Sequence, residues 1–422
     1  MRIAIVGSGI SGLTAAHELH PHHEITVFEA DAKVGGHTNT ITVQGADGQW
    51  DVDTGFIVFN DRNYPNFTAL LEQLGVPWQP SEMSFSVAAA EYDFEYSGTP
   101  RGLFGQRSNL TRPWFLRMVR EYRQFNSDAR DLLRTGDSTT SLGHFLEQRG
   151  YSRPFIDRLL VPQASAVWSA DPSQMWSFPA GFLCEFFDNH GMLALSGRPK
   201  WRTVTGGSQR YVDALIAPLR DRIHTSAPVV AIERDRDGVD VTVAGCDPLR
   251  FDEVVIAAHS DQALAMLVDP SPAEVEILSA FPYEPNEAVL HTDRSLLPRR
   301  RRVWSSWNYH LLDAPTGKST VTYHMNTLQS LSGPHEFCVT LNQSQRVDPS
   351  KIVRTISYAH PVFTPEGIAA QARHGEISGP NRTHYCGAYW GWGFHEDGVV
   401  SALNVTRALA GARVGIRERV AA

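Results

Sequence analysis

The chain has 422 residues, 38 of them basic and 46 acidic, for a formal charge of −8. Apolar residues make up 42% and charged residues 20%, the mix of a globular protein with a large buried core and two or three structural units. This balance excludes a transmembrane chain, a collagen-like or low-complexity chain and a disulfide scaffold, and the acidic excess argues against a nucleic-acid binder.

The elements begin with Ile3-Ala4-Ile5-Val6, a short apolar run without alternation, as expected of a parallel strand buried on both faces. It is too short for the apolar region of a signal peptide and runs straight into glycines. Gly7-Ser8-Gly9-Ile10-Ser11-Gly12 follows, then Leu13 to Leu19 with helical spacing. His20-Pro21-His22-His23 reads as a solvated turn without metal-ligand spacing, and Glu24 to Phe28 as a second strand ending at Glu29. Residues 110–160 are predicted to be helical. Gly206-Gly207 opens a further helix through Leu215. Val229 to Arg234 and Val239 to Val243 form a hairpin around Asp237-Gly238, and Glu253 to Ala258 is another buried strand. Thr383 to Leu409 reads as a strand, a glycine-aromatic loop and a helix.

The cysteines Cys184, Cys246, Cys338 and Cys386 form no CxxC pair, so no zinc or redox motif is expected and a reduced, cytoplasmic setting is the simple reading. The segments interleave. Residues 1–80, 200–260 and 355–422 are assigned to a discontinuous dinucleotide-binding domain, and 81–199 with 261–354 to an inserted substrate domain.

Gly7, Gly9 and Gly12 fit G-x-G-x-x-G between a strand and a helix. The first glycine permits the tight turn, the second the approach of a pyrophosphate, and the third close helix–strand packing. The phosphates would lie at the N–H groups around Ser11, at the helix start. Glu29 is placed to accept from an adenosine ribose, and an acid there disfavours a 2′-phosphate.

Val34-Gly35-Gly36-His37-Thr38, Asp53-Thr54-Gly55-Phe56, the Val229-Val230 strand, Trp201 to Gly207 and the stretch from Gly387 to Ala408 occur in an order that resembles the flavin amine oxidase and phytoene desaturase superfamily. The resemblance implies an α/β fold, with a Rossmann-like FAD-binding domain of the glutathione-reductase type and an interleaved α+β substrate domain. It also implies FAD held non-covalently, with Gly7, Gly9, Ser11, Gly12, Glu29, Gly36, His37, Thr38, Gly55, Val230, Gly387, Glu396, Asp397 and Val399 as contacts. Two positions depart from the pattern. The usual arginine after the paired glycines is His37, and the usual acid after the C-terminal glycine is Ala388, so a ribityl contact is expected from Glu396 or Asp397. These features look like a narrower bacterial group associated with cyclopropane-fatty-acid synthases, one branch resembling desaturases of methyl-branched acyl chains.

In the family the helix after Gly398 faces the flavin pyrimidine edge, where its N–H groups stabilise negative charge. Trp390, Trp392 and Phe394 are expected to wall the reacting face, and His395 is the candidate for moving a proton near neutral pH. The superfamily's amine oxidases commonly use a lysine. Here only Lys33, Lys200, Lys318 and Lys351 occur, which counts against amine oxidation. Trp168, Met175, Trp176, Phe178, Phe182, Phe186 and Phe187 suit a core and a hydrocarbon-lined cavity, and His190 a turn.

The expected function is therefore FAD-dependent dehydrogenation of a lipid-like or methyl-branched acyl chain by hydride transfer to flavin N5. Amine oxidation, redox-neutral double-bond isomerisation and a non-catalytic FAD-binding role stand as alternatives. Arg299-Arg300-Arg301-Arg302 is weighed equally as a contact for anionic lipid at the inner membrane face and as a loop or acid-pairing site. The partners considered are a small-molecule or lipid substrate and a methyltransferase or redox protein, not nucleic acid.

Overall fold

A computed structural model describes residues 1–89, 93–137, 139–194, 196–313 and 316–410. Residues 411–422, assigned above to the dinucleotide domain, lie outside the described residues.

The apolar runs form one parallel sheet. Its strand order is Ile223–His224, Glu24–Phe28, Arg2–Val6, Glu253–Ile256 and Thr383–Tyr385, and every pairing is parallel. Both faces are covered, which is why the central strands Arg2–Val6 and Glu253–Ile256 carry no polar alternation. Ile3 and Ile5 pack with Ala15, Ala16 and Leu19 of the opening helix (Ile10–Leu19) and with Ala402 and Val405 of the closing helix (His395–Leu409). Ala4 and Val6 face the other way, onto Ile232, Val241 and Leu278. The hairpin predicted at Asp237-Gly238 is present as antiparallel strands Val229–Arg234 and Val239–Val243.

A seven-stranded sheet forms the second layer, ordered Ile352–Pro361, Tyr283–His291, Cys338–Leu341, Val321–His324, Trp307–His310, Phe85–Ala89 and Phe94–Ser97. Ala288, Leu290, Val321, Tyr323, Val339 and Leu341 on one face pack with Trp50, Val52 and Ile57. Helices between residues 113 and 189 bury Phe115, Phe125, Phe155, Leu183 and Phe187 in a separate core.

Three expectations need correction. The boundary drawn at 355 falls inside Ile352–Pro361, which pairs along Tyr283–His291, so the chain stays in the substrate sheet to Pro361. The boundary drawn at 260 is early: Ala263, Leu267, Ile277, Leu278 and Phe281 recur at helical spacing and pack under the parallel sheet. Finally, Phe155 to Leu160 is not plain α-helix, because Ile156–Leu160 forms a π turn. Pro162 lacks the N–H that would bond the Arg158 carbonyl. The Tyr96 hydroxyl donates to that carbonyl instead, at 2.8 Å.

Asp53 joins distant segments beneath the sheet. Fully buried, it accepts from the Ser208 N–H (2.9 Å) and hydroxyl (2.8 Å), the Thr40 hydroxyl and the Gln329 amide (2.9 Å). Burial raises its pKa to about 6, leaving it ionised at neutral pH. Asp53→Asn turns an amide NH2 toward these donors and should lower stability by about 2 kcal/mol in a denaturant melt at pH 7. The folded pKa lies above the unfolded value of about 3.9, so ionisation works against folding as pH rises from 4 to 6. The Asn variant should show a flatter stability profile across that window.

Candidate active site

The strand-to-helix turn is built around missing side chains. A Cβ on Gly12 would lie 2.0 Å from the Gly7 carbonyl oxygen, and one on Gly7 (φ +103°) would lie 2.7 Å from that of Ala257. Gly9 differs, because a Cβ there meets nothing within 4 Å, leaving open space at the start of the opening helix. That helix has no side-chain cap and no acid in its first turn, so its N–H groups face this space. Gly36 (φ +57°) comes so close that its Cβ would lie 3.1 Å from the Gly9 Cα. Ser11 is buried at the same helix start.

Glu29 accepts from the Ser8 N–H (2.9 Å), the Ser8 hydroxyl and the Asp31 N–H (2.9 Å). A carboxylate offers about four acceptor positions, so one remains for a ribose hydroxyl. The register shifts between Val229 and Ala231, which leaves Val230 outside the ladder and 51% exposed. An uncapped helix start facing open space, with an acceptor one strand away, fits the pyrophosphate and ribose of FAD. Gly55 packs under the second glycine turn, where a Cβ would lie 2.0 Å from the His37 carbonyl oxygen.

The closing helix meets the opening one at Gly398, whose Cβ would lie 2.8 Å from Ile10 Cγ2 and 2.9 Å from the Ser11 hydroxyl. The N–H of Gly387 donates to the Ser401 hydroxyl at 3.1 Å, tying the loop to this helix. Unlike the opening helix, its first turn carries two acids, Glu396 and Asp397. Val399 does not present itself as a ligand contact: its side chain is in the core, and its N–H lies past the first turn, since the Gly398 N–H already closes onto the Phe394 carbonyl.

Glu396 does not offer a ribityl contact either. It caps the helix Pro65–Gln73 by accepting from the Asn66 N–H (3.0 Å), the Asn66 amide (2.7 Å) and the Phe67 N–H (2.9 Å). Asp397 accepts from the Phe394 N–H at 2.9 Å and sits against Gly391.

His395 is buried, and its Nε2 lies 3.0 Å from both the Thr38 and Tyr211 hydroxyls, which also bond each other. Its ring stacks on Phe56 at 3.6 Å. Burial lowers its pKa to about 3, so the ring is neutral and weakly basic near neutral pH. The expectation of a proton-moving histidine is corrected to that of a positioning residue, tying the closing helix to the second glycine turn.

The two tryptophans separate. Trp390 packs on Phe281 and His374, with ring centroids 5.4 and 4.5 Å away, in the cluster under the parallel sheet. It therefore leaves the expected wall. The Trp392 carbonyl accepts from Trp168 Nε1 at 3.2 Å, and its ring lies 6.3 Å from both Phe182 and Phe186. Phe394 stacks on Phe186 at 5.3 Å and Phe363 on Phe182 at 5.5 Å. An apolar wall thus runs from the inserted helices to the closing loop. His190 is a helix-terminal histidine whose Nδ1 lies 3.0 Å from the Phe186 carbonyl.

The residue that replaces the usual arginine opens onto a cluster that local patterns did not reveal. His37 stacks on Tyr358 at 5.0 Å and lies 5.4 Å from His360 and 6.1 Å from His259. Burial lowers the pKa of all three imidazoles, that of His360 to about 4. Opposite His360 in the sheet stands Glu284. Its Oε2 is buried without a partner, and burial raises its pKa. The available signal was the alternation of Tyr358 with His360 and of Glu284 with Asn286; their pairing spans more than seventy residues.

Lys33 bonds Asn39 and the Thr40 carbonyl, Lys318 the Pro285 carbonyl and Lys351 Asp293, while Lys200 is exposed. Cys386 is buried and its thiol is pushed up to about 12, unsuited to a flavin thioether. Among the described residues no group of His, Cys, Asp and Glu could hold a metal.

The family model for flavin-containing amine oxidoreductases matches residues 10–301. A mitochondrial protoporphyrinogen oxidase of Nicotiana tabacum is 26% identical over 42% of this chain and 35% of its own. A protein named flavin-containing monoamine oxidase AofH, of Mycobacterium tuberculosis, is 26% identical over 57% of this chain and 53% of its own. The chain thus spans a third to a half of these curated relatives. In fold it resembles cyclohexylamine oxidase from Brevibacterium oxydans IH-35A (TM-score 0.70, 15% identity, 97% of this chain and 99% of that one). It also resembles a fatty acid isomerase from P. acnes that produces CLA (TM-score 0.66, 16% identity, 98% and 99%).

The glycines make a separable test. Gly9→Leu should fill the open space, leaving a folded protein that purifies without yellow colour and takes up no FAD. Gly12→Ala should instead lower the melting temperature, because its clash is with backbone. Equal flavin content in Gly9→Leu and the parent would contradict the site.

Proposed function

The chain belongs to the flavin-containing amine oxidoreductase family, and from that premise we propose that this FAD-dependent oxidoreductase dehydrogenates a lipid-like, methyl-branched acyl chain. Bound FAD supplies the two-electron acceptor for a hydride leaving the chain. The observation that carries the choice of substrate is the apolar wall of Trp168, Phe182, Phe186, Phe363, Trp392 and Phe394. It offers hydrocarbon contact and excludes water. Support also comes from the lysines, each engaged or exposed elsewhere, and from the fatty acid isomerase that shares the fold.

Glu284 is the base in this reading. Its unpartnered Oε2 takes the proton from the carbon next to the one losing hydride, and burial keeps the carboxylate basic enough to accept it. The neutral His37, His259 and His360 line the approach without adding a fixed cation.

Anaerobic mixing with a methyl-branched acyl phospholipid should bleach the flavin absorbance, with a product two mass units lighter. Bleaching by amines alone would contradict the proposal, and a product of unchanged mass would indicate isomerisation. Glu284→Gln should slow bleaching by roughly 10²–10⁴-fold with flavin content unchanged. Because the base works ionised, the parent rate should climb with pH through a value above the ordinary carboxylate range, and the Gln variant should lose that climb.

A further inference from the structure

The run Arg299–Arg302 stands out in sequence, but the structure largely withdraws it from the surface role. Arg300 bonds Glu95 at 2.9 Å, and the N–H groups of Arg299 and Arg300 donate to the same carboxylate at 2.8 and 3.0 Å. The Arg299 guanidinium lies 3.9 Å from Asp93. Arg301 lies 3.5 Å from Glu336 and over the Trp304 ring at 5.3 Å. Acid pairing is thus the main use of this run. Arg302 alone of the four is exposed with no acidic partner among the described residues, and its Cγ would lie 3.1 Å from a Cβ on Gly105.

That contact leads to a different surface. Residues 101–123 hold Arg101, Arg107, Arg112, Arg117, Arg120 and Arg123 against one acid, Glu121, in a chain whose overall charge is −8. Glu121 is buried and accepts from Arg117 at 2.9 Å and from Ser152. Arg112 bonds Asn109 and the Asp93 carbonyl. Arg101, Arg107, Arg120 and Arg123 are exposed and have no acidic partner among the described residues.

Two large apolar side chains stand among them, Leu110 at 53% and Leu116 at 45% exposure. Leu116, Arg120 and Arg123 are spaced i, i+4, i+7 on the helix Pro113–Thr135, so they share one face. Opposite lie Phe115, Met118 and Phe125, fully buried. Arg107 and Leu110 are three apart in the short 3₁₀ turn Arg107–Thr111 that precedes this helix, which aligns them too.

We propose that this face docks on an anionic lipid surface, with Arg101, Arg107, Arg120, Arg123 and Arg302 over the headgroups and Leu110 and Leu116 in the interfacial layer. A protein partner is the poorer fit, since stable interfaces need a contiguous apolar centre. Two leucines set among arginines provide none, whereas a bilayer accepts single apolar side chains beside basic ones. No described helix is long and apolar enough to cross a membrane, so the contact is peripheral. The inference does not depend on the reaction, and its test leaves the flavin out.

The full chain is sedimented with vesicles of phosphatidylglycerol and phosphatidylcholine, or of phosphatidylcholine alone. Binding to the anionic vesicles only, released by high salt, is the expected result. Each basic residue near such a surface is worth about fivefold in partitioning. The triple variant Arg107→Gln, Arg120→Gln, Arg123→Gln should therefore bind on the order of a hundredfold more weakly. Leu110→Ser with Leu116→Ser should weaken binding without changing its salt dependence, and Arg301→Gln should leave it unchanged. Melting curves check that each variant is folded. A parent chain that ignores anionic vesicles, a triple variant that binds like the parent, or a preference for duplex DNA over the vesicles would overturn the proposal.

Discussion

Helix and sheet can touch at the first turn of this protein only because Gly7 and Gly12 have no side chains. With the Gly12 Cβ position 2.0 Å from the Gly7 carbonyl oxygen, even one methyl group would push the opening helix off the first strand. From that contact the rest of the site is set. The closing helix seats Gly398 against Ile10 and Ser11, so two helix starts converge past the carboxyl ends of the parallel strands. Open α/β sheets bind ligands in this crevice, where oriented N–H groups meet negative charge. The second glycine turn is drawn into the same place by the approach of Gly36 to Gly9, and His395 fastens it through Thr38 and Tyr211.

Around this crevice the protein relies on burial more than on fixed charge. His37 stands where the family usually has an arginine, and its neighbours His259 and His360 are neutral as well, because desolvation outweighs any attraction for a proton. Burial acts on Glu284 in the opposite sense and makes it a better base. Neutral imidazoles, one basic carboxylate and an aromatic wall suit the proposed removal of hydrogen from a hydrocarbon. A cationic wall would instead stabilise a carboxylate and weaken its basicity.

What could be read from the sequence was what is encoded locally. The strand, glycine turn, helix and acid of residues 3–29 lie within one supersecondary unit, so spacing alone placed Gly7, Gly9, Gly12 and Glu29 together. The hairpin at Asp237-Gly238 was legible for the same reason. Contacts closed through the second sheet were not: Glu284 meets His360 through antiparallel register across more than seventy residues, and neither position carries a motif. Adjacent aromatic residues misled in another way. Trp390 ends a short 3₁₀ turn and Trp392 follows Gly391, so the two rings leave the loop in different directions and enter separate cores. Charge patterning identified an arginine-rich run, yet which arginines stay solvated depends on Asp93, Glu95 and Glu336, which lie near them only in the folded chain.

One FAD is expected across the parallel sheet, its phosphates at the opening helix and its ring by the closing one, held without a covalent bond. The visible spectrum of the purified chain, followed by acid precipitation and assay of the released flavin, tests it most directly. A yellow protein that frees one equivalent of FAD into the supernatant is the predicted result. A colourless, folded chain that takes up no added FAD, or flavin that stays with the precipitate, would contradict it.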